Sequence, residues 1–159
     1  MEFKRCGMYN LNWSRKELSR QKLGTFGEYY AKMALASYGM SIYTSEVDDH
    51  GIDFVAETTK GFRKFQVKTI RSKTAYVFMK ADNFDVTDES LYLLLIILTD
   101  GEHPALYAIP ASAWNRTEPP FVFHNYEGKK SEPEYGLNLS KKNLPQIDQY
   151  RIEKMIDMF

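Results

Sequence analysis

Asp49-His50-Gly51-Ile52-Asp53-Phe54-Val55-Ala56-Glu57, followed eight residues later by Phe65-Gln66-Val67-Lys68, is the stretch on which the fold turns. It reads as two short strands around a turn at Thr58-Thr59-Lys60-Gly61. In the first strand, over 51–57, Ile52, Phe54 and Ala56 take one face, and Asp53, Val55 and Glu57 the other. The second strand covers 62–70. There Phe65 and Val67 point one way, while Lys64, Gln66 and Lys68 point the other. A carboxylate, an amide oxygen and an ammonium thus meet at one edge of a sheet, a suitable donor set for a divalent cation and a phosphodiester.

Around this pair the chain alternates helix and strand. Ser14-Arg15-Lys16-Glu17 has capping-box spacing and predicts a short helix to about Lys22. Thr25-Phe26-Gly27-Glu28 repeats that spacing and opens a longer helix with Phe26, Tyr30, Met33 and Ser37 on its apolar stripe, stopped by Gly39. A first strand is expected over 40–45, a further one over 75–80, then a polar loop or short helix over 81–90. Leu91 to Leu98 is continuously apolar, as in a central strand covered on both faces. Ala105 to Ile109 is its neighbour, ended by Pro110, and 111–115 makes one helical turn. Phe121 to Phe123 is a small strand, and 127–136 a polar loop. Ile147, Tyr150 or Arg151, Met155 and Phe159 predict a closing helix over 145–158 with Asn143 as its cap. Tyr9 and Trp13 would pack the first residues onto the body. No repeat or linker divides the 159 residues, so one α/β domain is expected, with a core over about 24–110 and a basic segment over 1–23.

Twenty-one basic residues balance twenty-one acidic ones, so net charge neither favours nor excludes a polyanionic partner. Their distribution says more. Lys60, Arg63, Lys64, Lys68, Arg71 and Lys73 follow one another without an acid, and Lys4, Arg5, Arg15, Lys16, Arg20 and Lys22 make the start basic. The acids gather at Asp82, Asp85, Asp88, Glu89, Asp100 and Glu102. Such segregation gives a neutral protein a basic face. Lys64, Arg71 and Lys73 are the candidate phosphate contacts. A lone cysteine, Cys6, excludes an intramolecular disulfide and suits a reducing compartment. The start has no apolar run, and 91–98 is too short to span a bilayer, so a cytoplasmic, non-membrane protein is expected. His103 and His124 lack zinc-ligand spacing, no glycine-rich phosphate loop follows a strand, and Ser112 has no nucleophile-elbow context. His50 is expected at the surface.

A helix bearing Glu28, a strand bearing Asp53, and a strand bearing Gln66-Val67-Lys68 together resemble the PD-(D/E)xK nuclease superfamily, which includes restriction endonucleases and archaeal Holliday-junction resolvases. The match covers roughly residues 24–70, and the apolar strand at 91–98 extends it. The resemblance implies a restriction-endonuclease-like αβββαβ core with a central mixed sheet flanked by helices. It implies a DNA-cleaving enzyme using Mg²⁺ or Mn²⁺ in restriction, repair or mobile-element processing. Asp53 would be the main ligand, helped by the Gln66 amide oxygen, the Val67 carbonyl and Glu28, with Lys68 serving the attacking water and the transition state. Gln66 stands where most of the family has an acid; Mrr-type relatives also carry glutamine there. A neutral donor implies weaker metal binding and a leaning to Mn²⁺.

Implied partners are DNA, a second copy of the chain and a protein supplying specificity. A catalytically inactive nucleic-acid-binding or scaffold module is the alternative reading, and a chance match in a plain interaction domain is a third. Each residue also has a plain structural explanation. Glu28 would close the Thr25 capping box, Asp53 would share a solvated strand face with Glu57, and Gln66 and Lys68 would be exposed alternate positions of an edge strand.

Overall fold

A computed structural model describes residues 18–46 and 50–159. The capping box at Ser14, the basic residues before it, Cys6, Tyr9, Trp13 and Asp49 lie outside the described residues.

Residues 20–22, expected to end a first helix, belong to the longer one. Helix α1 runs Arg20–Ser37, and its N-cap is Ser19, whose hydroxyl accepts from the Lys22 amide at 3.2 Å. Residues 18 and 19 precede the helix, and Thr25 lies inside it, its hydroxyl donating to the Gln21 carbonyl. The buried stripe is Leu23, Gly27, Ala31 and Leu35, one position round from the expected Phe26 stripe; Met33 and Ser37 are exposed. Closeness decided between the stripes. A side-chain carbon on Gly27 would lie 1.7 Å from Thr69 Oγ1, so the helix backbone rests directly on the sheet. At the middle of that face Gly27 and Ala31 sit against the sheet although larger residues are available beside them. Gly39, at φ +87°, ends the helix in a Schellman arrangement: its amide donates to Ala36 O at 2.9 Å and that of Met40 to Leu35 O at 3.3 Å.

Five strands make the main sheet: β1 (Ser41–Tyr43), β2 (Phe54–Thr58), β3 (Gly61–Arg71), β5 (Leu91–Leu98) and β6 (Ala105–Pro110), in the order β1-β2-β3-β5-β6. Thr58 and Gly61 close the β2–β3 hairpin. Gly61 adopts φ +99°, and the Thr58 hydroxyl donates to its carbonyl at 2.7 Å. β3 and β5 pair in parallel, in register from Lys64 with Leu91 to Arg71 with Leu98; the other pairings are antiparallel. All eight residues of β5 are buried, as a strand covered on both sides requires. Fully burying a Leu or Ile contributes roughly 1.5–3 kcal/mol, so this strand anchors both cores.

On one face, Phe54, Ala56, Phe65, Leu94 and Ile96 pack against α1, and Val67 joins them. On the other, Ile70, Leu93, Leu95 and Ile97 meet Val77, Met79, Phe84, Trp114 and Leu137. This second core is closed by a three-stranded antiparallel sheet in the order β4-β8-β7, made of β4 (Tyr76–Lys80), β7 (Phe121–His124) and β8 (Glu134–Asn138). The crossover from β3 to β5 therefore runs through β4 and a 3-10 turn at Ala81–Asn83, where the family pattern has a helix. A second 3-10 turn, Ala111–Asn115, carries the buried Trp114.

Two expectations fail. The polar loop over 127–136 ends in β8, the middle strand of the second sheet. Its turn-like residues are there for contacts. Gly136 leaves room for the Tyr76 ring, whose hydroxyl oxygen would be 2.0 Å from an added carbon, and its carbonyl accepts from Trp114 Nε1 at 2.7 Å. Buried Glu134 accepts from the Tyr76 hydroxyl at 2.7 Å and from that of Tyr126 at 3.1 Å. Burial and this carboxylate push the Tyr76 phenol well above its ordinary range. The closing helix is also broken, into 3-10 turns Leu144–Tyr150 and Ile156–Met158 around a short α2 (Ile152–Met155). Arg151 is extended between them (φ −54°, ψ 139°) and bridges to Tyr107. Ile147 and Phe159, expected on one stripe, end in opposite cores. Asn143 occupies the cap position without a capping side-chain bond.

Candidate functional site

Asp53 enters the sheet one residue ahead of β2. Its amide donates to the Phe65 carbonyl at 2.9 Å, and since Phe54 faces Phe65, Asp53 falls opposite Gln66. Strand alternation then places Asp53, Gln66 and Lys68 on the same face, away from α1. The hydrogen-bonded part of β2 stops here, and the Asp53 side chain takes over its role: Oδ2 accepts from the Val67 amide at 2.5 Å. A charged acceptor on a backbone donor is among the stronger hydrogen bonds, and it fixes the carboxylate against β3. Along a strand the C=O of a residue points to the same side as its N–H, so the Val67 carbonyl also projects beyond the end of β2, beside Asp53.

Gln66 is 8% exposed. Its Oε1 is buried without a hydrogen-bond partner, a condition that costs about 1–3 kcal/mol unless something else supplies the contact. The edge-strand explanation does not hold for Gln66, which is buried rather than exposed. Gln66 and Lys68 pair with Leu93 and Leu95 of β5, on a stretch of β3 where β2 has already ended. Lys68 is half-buried and forms no salt bridge with the described residues.

Glu28 comes from the other side of the sheet. It follows Gly27, whose contact with Thr69 places this turn of α1 over the residue next to Lys68. Its capping-box explanation is gone, since the helix starts at Arg20, two turns earlier. Glu28 is half-buried and makes no ion pair with the described residues. The structure thus brings Asp53, Gln66, Val67 and Lys68 together along one edge, with Glu28 on the helix behind them.

The candidate phosphate contacts differ from one another. Lys64 shares the face of Gln66 but is tied to Asp88 at 2.8 Å. Burial works against the Asp88 charge, yet Lys64 together with the hydroxyl and amide of Ser90 holds its carboxyl below the usual range. Arg71 is half-buried at the end of β3, and Lys73 is exposed in the turn after it. His50 is exposed, as expected. Reasoning from sequence missed Asn83, whose 3-10 turn lies against Gly51. No periodicity or motif marks it, because its place depends on where the second sheet delivers the chain.

Among the described residues no three His, Cys, Asp or Glu side chains converge as a metal site. The oxygen donors at the edge are instead the Asp53 carboxylate, the Gln66 amide and the Val67 carbonyl. An all-oxygen set with an unpartnered buried oxygen fits a hard divalent cation such as Mg²⁺, which keeps several of its waters and needs few protein ligands.

No protein-family model matches the chain, and no curated protein matches it. Solved structures do. The bacterial homing endonuclease I-Ssp6803I superposes with a TM-score of 0.54 at 17% identity, over 88% of this chain and 92% of that one. Hjc, a Holliday junction resolvase from the archaeal hyperthermophile Archaeoglobus fulgidus, gives 0.47 at 14% identity, over 77% of this chain and 88% of that one. The mixed five-stranded sheet, its helix and the second sheet together form a nuclease-like fold, the class that the sequence resemblance implied.

Proposed function

We propose that the chain is a divalent-metal-dependent endonuclease that hydrolyses DNA phosphodiester bonds, working as one nuclease-like domain. One observation carries the reading: a buried, unpartnered amide oxygen on Gln66 lies across from an aspartate already locked to the neighbouring backbone. Such an oxygen is costly in a protein that never fills it. The nuclease-like fold supports the same reading.

Asp53, Gln66 and the Val67 carbonyl would hold Mg²⁺ or Mn²⁺, and Glu28 would reach it through water. The cation supplies a more acidic water and a polarised phosphate when bound. Asp53, immobilised by Val67 N–H, keeps the anionic oxygen in place throughout the reaction. Lys68, two residues from Gln66 on the same face, orients the attacking water and offsets the charge that builds on the phosphoryl oxygens. Water oxygen bonds to phosphorus, the bridging P–O bond breaks, and the leaving oxygen takes up a proton. Arg71, the last residue of β3, and Lys73, in the turn after it, would meet phosphates; Lys64 would have to exchange Asp88 for one. Two copies would be needed to cut both strands, and specificity would come from loops, DNA structure or a partner protein. Among the described residues no helix is long and apolar enough to cross a membrane, which is compatible with a DNA partner.

The neutral Gln66 favours a second reading, a DNA-binding module without catalysis. Purified protein incubated with supercoiled plasmid, single-stranded DNA and branched DNA, with Mg²⁺ or Mn²⁺, separates the two. Cutting should vanish in Asp53→Ala and Lys68→Ala; cutting that survives both would refute the site. Salt-sensitive binding without any cutting would support the module.

A further inference from the structure

The outer face of the three-stranded sheet carries a row of rings that neither core uses. Val77 and Met79 of β4 are buried, so Tyr76, Phe78 and Lys80 leave the opposite side. In register on that side stand Gly136 and Glu134 of β8 and His124 of β7. Because Gly136 has no side chain, the Tyr76 ring lies down across β8; a carbon added there would be 2.0 Å from its hydroxyl oxygen and 2.5 Å from its Cζ. The Phe78 ring lies 6.5 Å away and only 23° out of parallel. His124 follows at 6.3 Å from Tyr76, and Tyr126 at 5.4 Å from His124. The row is fixed from beneath: Glu134, an acid on the outside of a sheet, is buried and accepts from the Tyr76 and Tyr126 hydroxyls. Tyr126 reaches it from a left-handed backbone, φ +53°, uncommon for a bulky residue.

Rings held in one orientation lose little freedom when a ligand settles on them. Phe78 is 47% exposed, and His124 is also open to solvent among the described residues. Cations border the row. Lys73 stands in the turn before β4, Lys80 ends that strand in a weak surface pair with Glu132, and the Lys129 ammonium lies 5.9 Å over the Tyr126 ring. A sugar-binding face would need the central carboxylate turned outwards to meet hydroxyls, and here it is buried under two phenols. A second copy of the chain, seated here about a two-fold axis, would bury the same lysines twice. Flat rings flanked by ammonium groups instead suit unpaired bases of any sequence.

We propose that this face is a docking surface for single-stranded DNA, with bases stacked on Phe78, Tyr76 and His124 and phosphates met by Lys73, Lys80 and Lys129. The choice of DNA over RNA rests on the endonuclease reading above; the docking of an unpaired strand does not.

The test is fluorescence polarisation of a short labelled thymidine oligomer with the full chain, in chelator so that no cutting intervenes. Phe78→Ala should weaken binding about 5–150-fold, the range for losing one stacked ring, with melting near wild type. Phe78→Trp should bind close to wild type. A duplex of the same length keeps its bases inside, so its binding should not respond to Phe78→Ala. Unchanged affinity for the oligomer in Phe78→Ala, or equal losses for oligomer and duplex, would overturn the proposal. A dimer that becomes a monomer in Phe78→Ala while still binding the oligomer would overturn it too, since the face would then join two copies. If Phe78→Ala does not fold, His124→Ala should show the same selective loss, and its absence counts equally against the surface. Tighter binding of the matching uridine RNA overturns the choice of DNA. Asp53→Ala should abolish cutting without weakening binding in chelator. Plasmid cutting beside an unresponsive Phe78 variant removes only the docking surface, whereas absent cutting beside a responsive one removes only the endonuclease.

Discussion

Helix α1 contains two glycines whose replacement by alanine should act in opposite directions. Nothing lies within 4 Å of a carbon added at Gly24, whereas one added at Gly27 would lie 1.7 Å from Thr69 Oγ1, 2.8 Å from its Cβ and 3.0 Å from its Cγ2. Rotating the threonine moves Oγ1 and Cγ2 away, but Cβ is fixed by the backbone of β3. Ordinary carbon contacts begin at about 3.5 Å, so helix and strand would have to part by roughly 0.7 Å. Overpacking of that kind costs about 1–3 kcal/mol. Both substitutions gain about 1 kcal/mol of helix propensity, so the gain cancels in their comparison. Gly24→Ala should therefore stabilise the fold by about 1 kcal/mol, and Gly27→Ala should fall about 1–3 kcal/mol below it. At about 2–4 °C per kcal/mol for a domain of this size, melting temperatures should differ by about 2–12 °C. Urea unfolding with a shared m-value gives the same difference independently. Equal stabilisation by the two alanines would refute the close seating of α1 on β3, and with it the placement of Glu28 behind Lys68.

Trp114→Ala should cost about 3–5 kcal/mol in thermal unfolding, because the indole fills the space between Phe84 and Phe121 and is the hydrogen-bond donor to the Gly136 carbonyl. Asp88 has a depressed pKa in the folded state, so its contribution to stability is complete above the ordinary carboxyl value near 4 and is lost as pH falls through the lower folded value. Asp88→Asn should accordingly flatten the acid limb of the stability curve and leave its alkaline limb unchanged; an unchanged acid limb would count against the Lys64 pair. Mn²⁺ at about a hundred times its dissociation constant should raise stability by about 2.7 kcal/mol in wild type and by nothing in Asp53→Ala, as followed by thermal melting.

The hairpin bearing Asp53, Gln66 and Lys68 was legible because strand alternation and a glycine turn are local properties. The buried strand at 91–98 was legible because only full coverage explains eight apolar residues in a row. What sequence could not convey was depth and contact. Gln66 looks like a surface position until β5 is known to flank β3, and Glu28 looks like a cap until Ser19 proves to be one. Phe26 and Tyr30 suggest a helix stripe that loses to Gly27 and Ala31, because the sheet comes too near for large side chains. β8 was hidden because its turn-like residues are held by distant partners: Glu134 and Gly136 pair with Lys80 and Phe78 of β4, more than fifty residues earlier, and both meet Tyr76. Likewise Arg151, bridged to Tyr107, divides the expected closing helix, so that Ile147 and Phe159 of one predicted stripe enter different cores.

The parallel pairing of β3 with β5 also bears on how the chain is made. One side of β5 is covered by residues that follow it, as far as Leu137, Leu139 and Ile147. On a ribosome adding about 5–20 residues per second, those residues appear roughly 2–10 s after Leu98. During that interval an eight-residue strand without a single charge has one face covered only by the earlier Val77, Met79 and Phe84 and otherwise open to other chains. Nascent protein should be held by chaperones until β8 arrives, and added chaperone should raise the soluble yield more than any change to the mature surface. The strand that makes the finished site rigid is the one that makes its assembly hazardous.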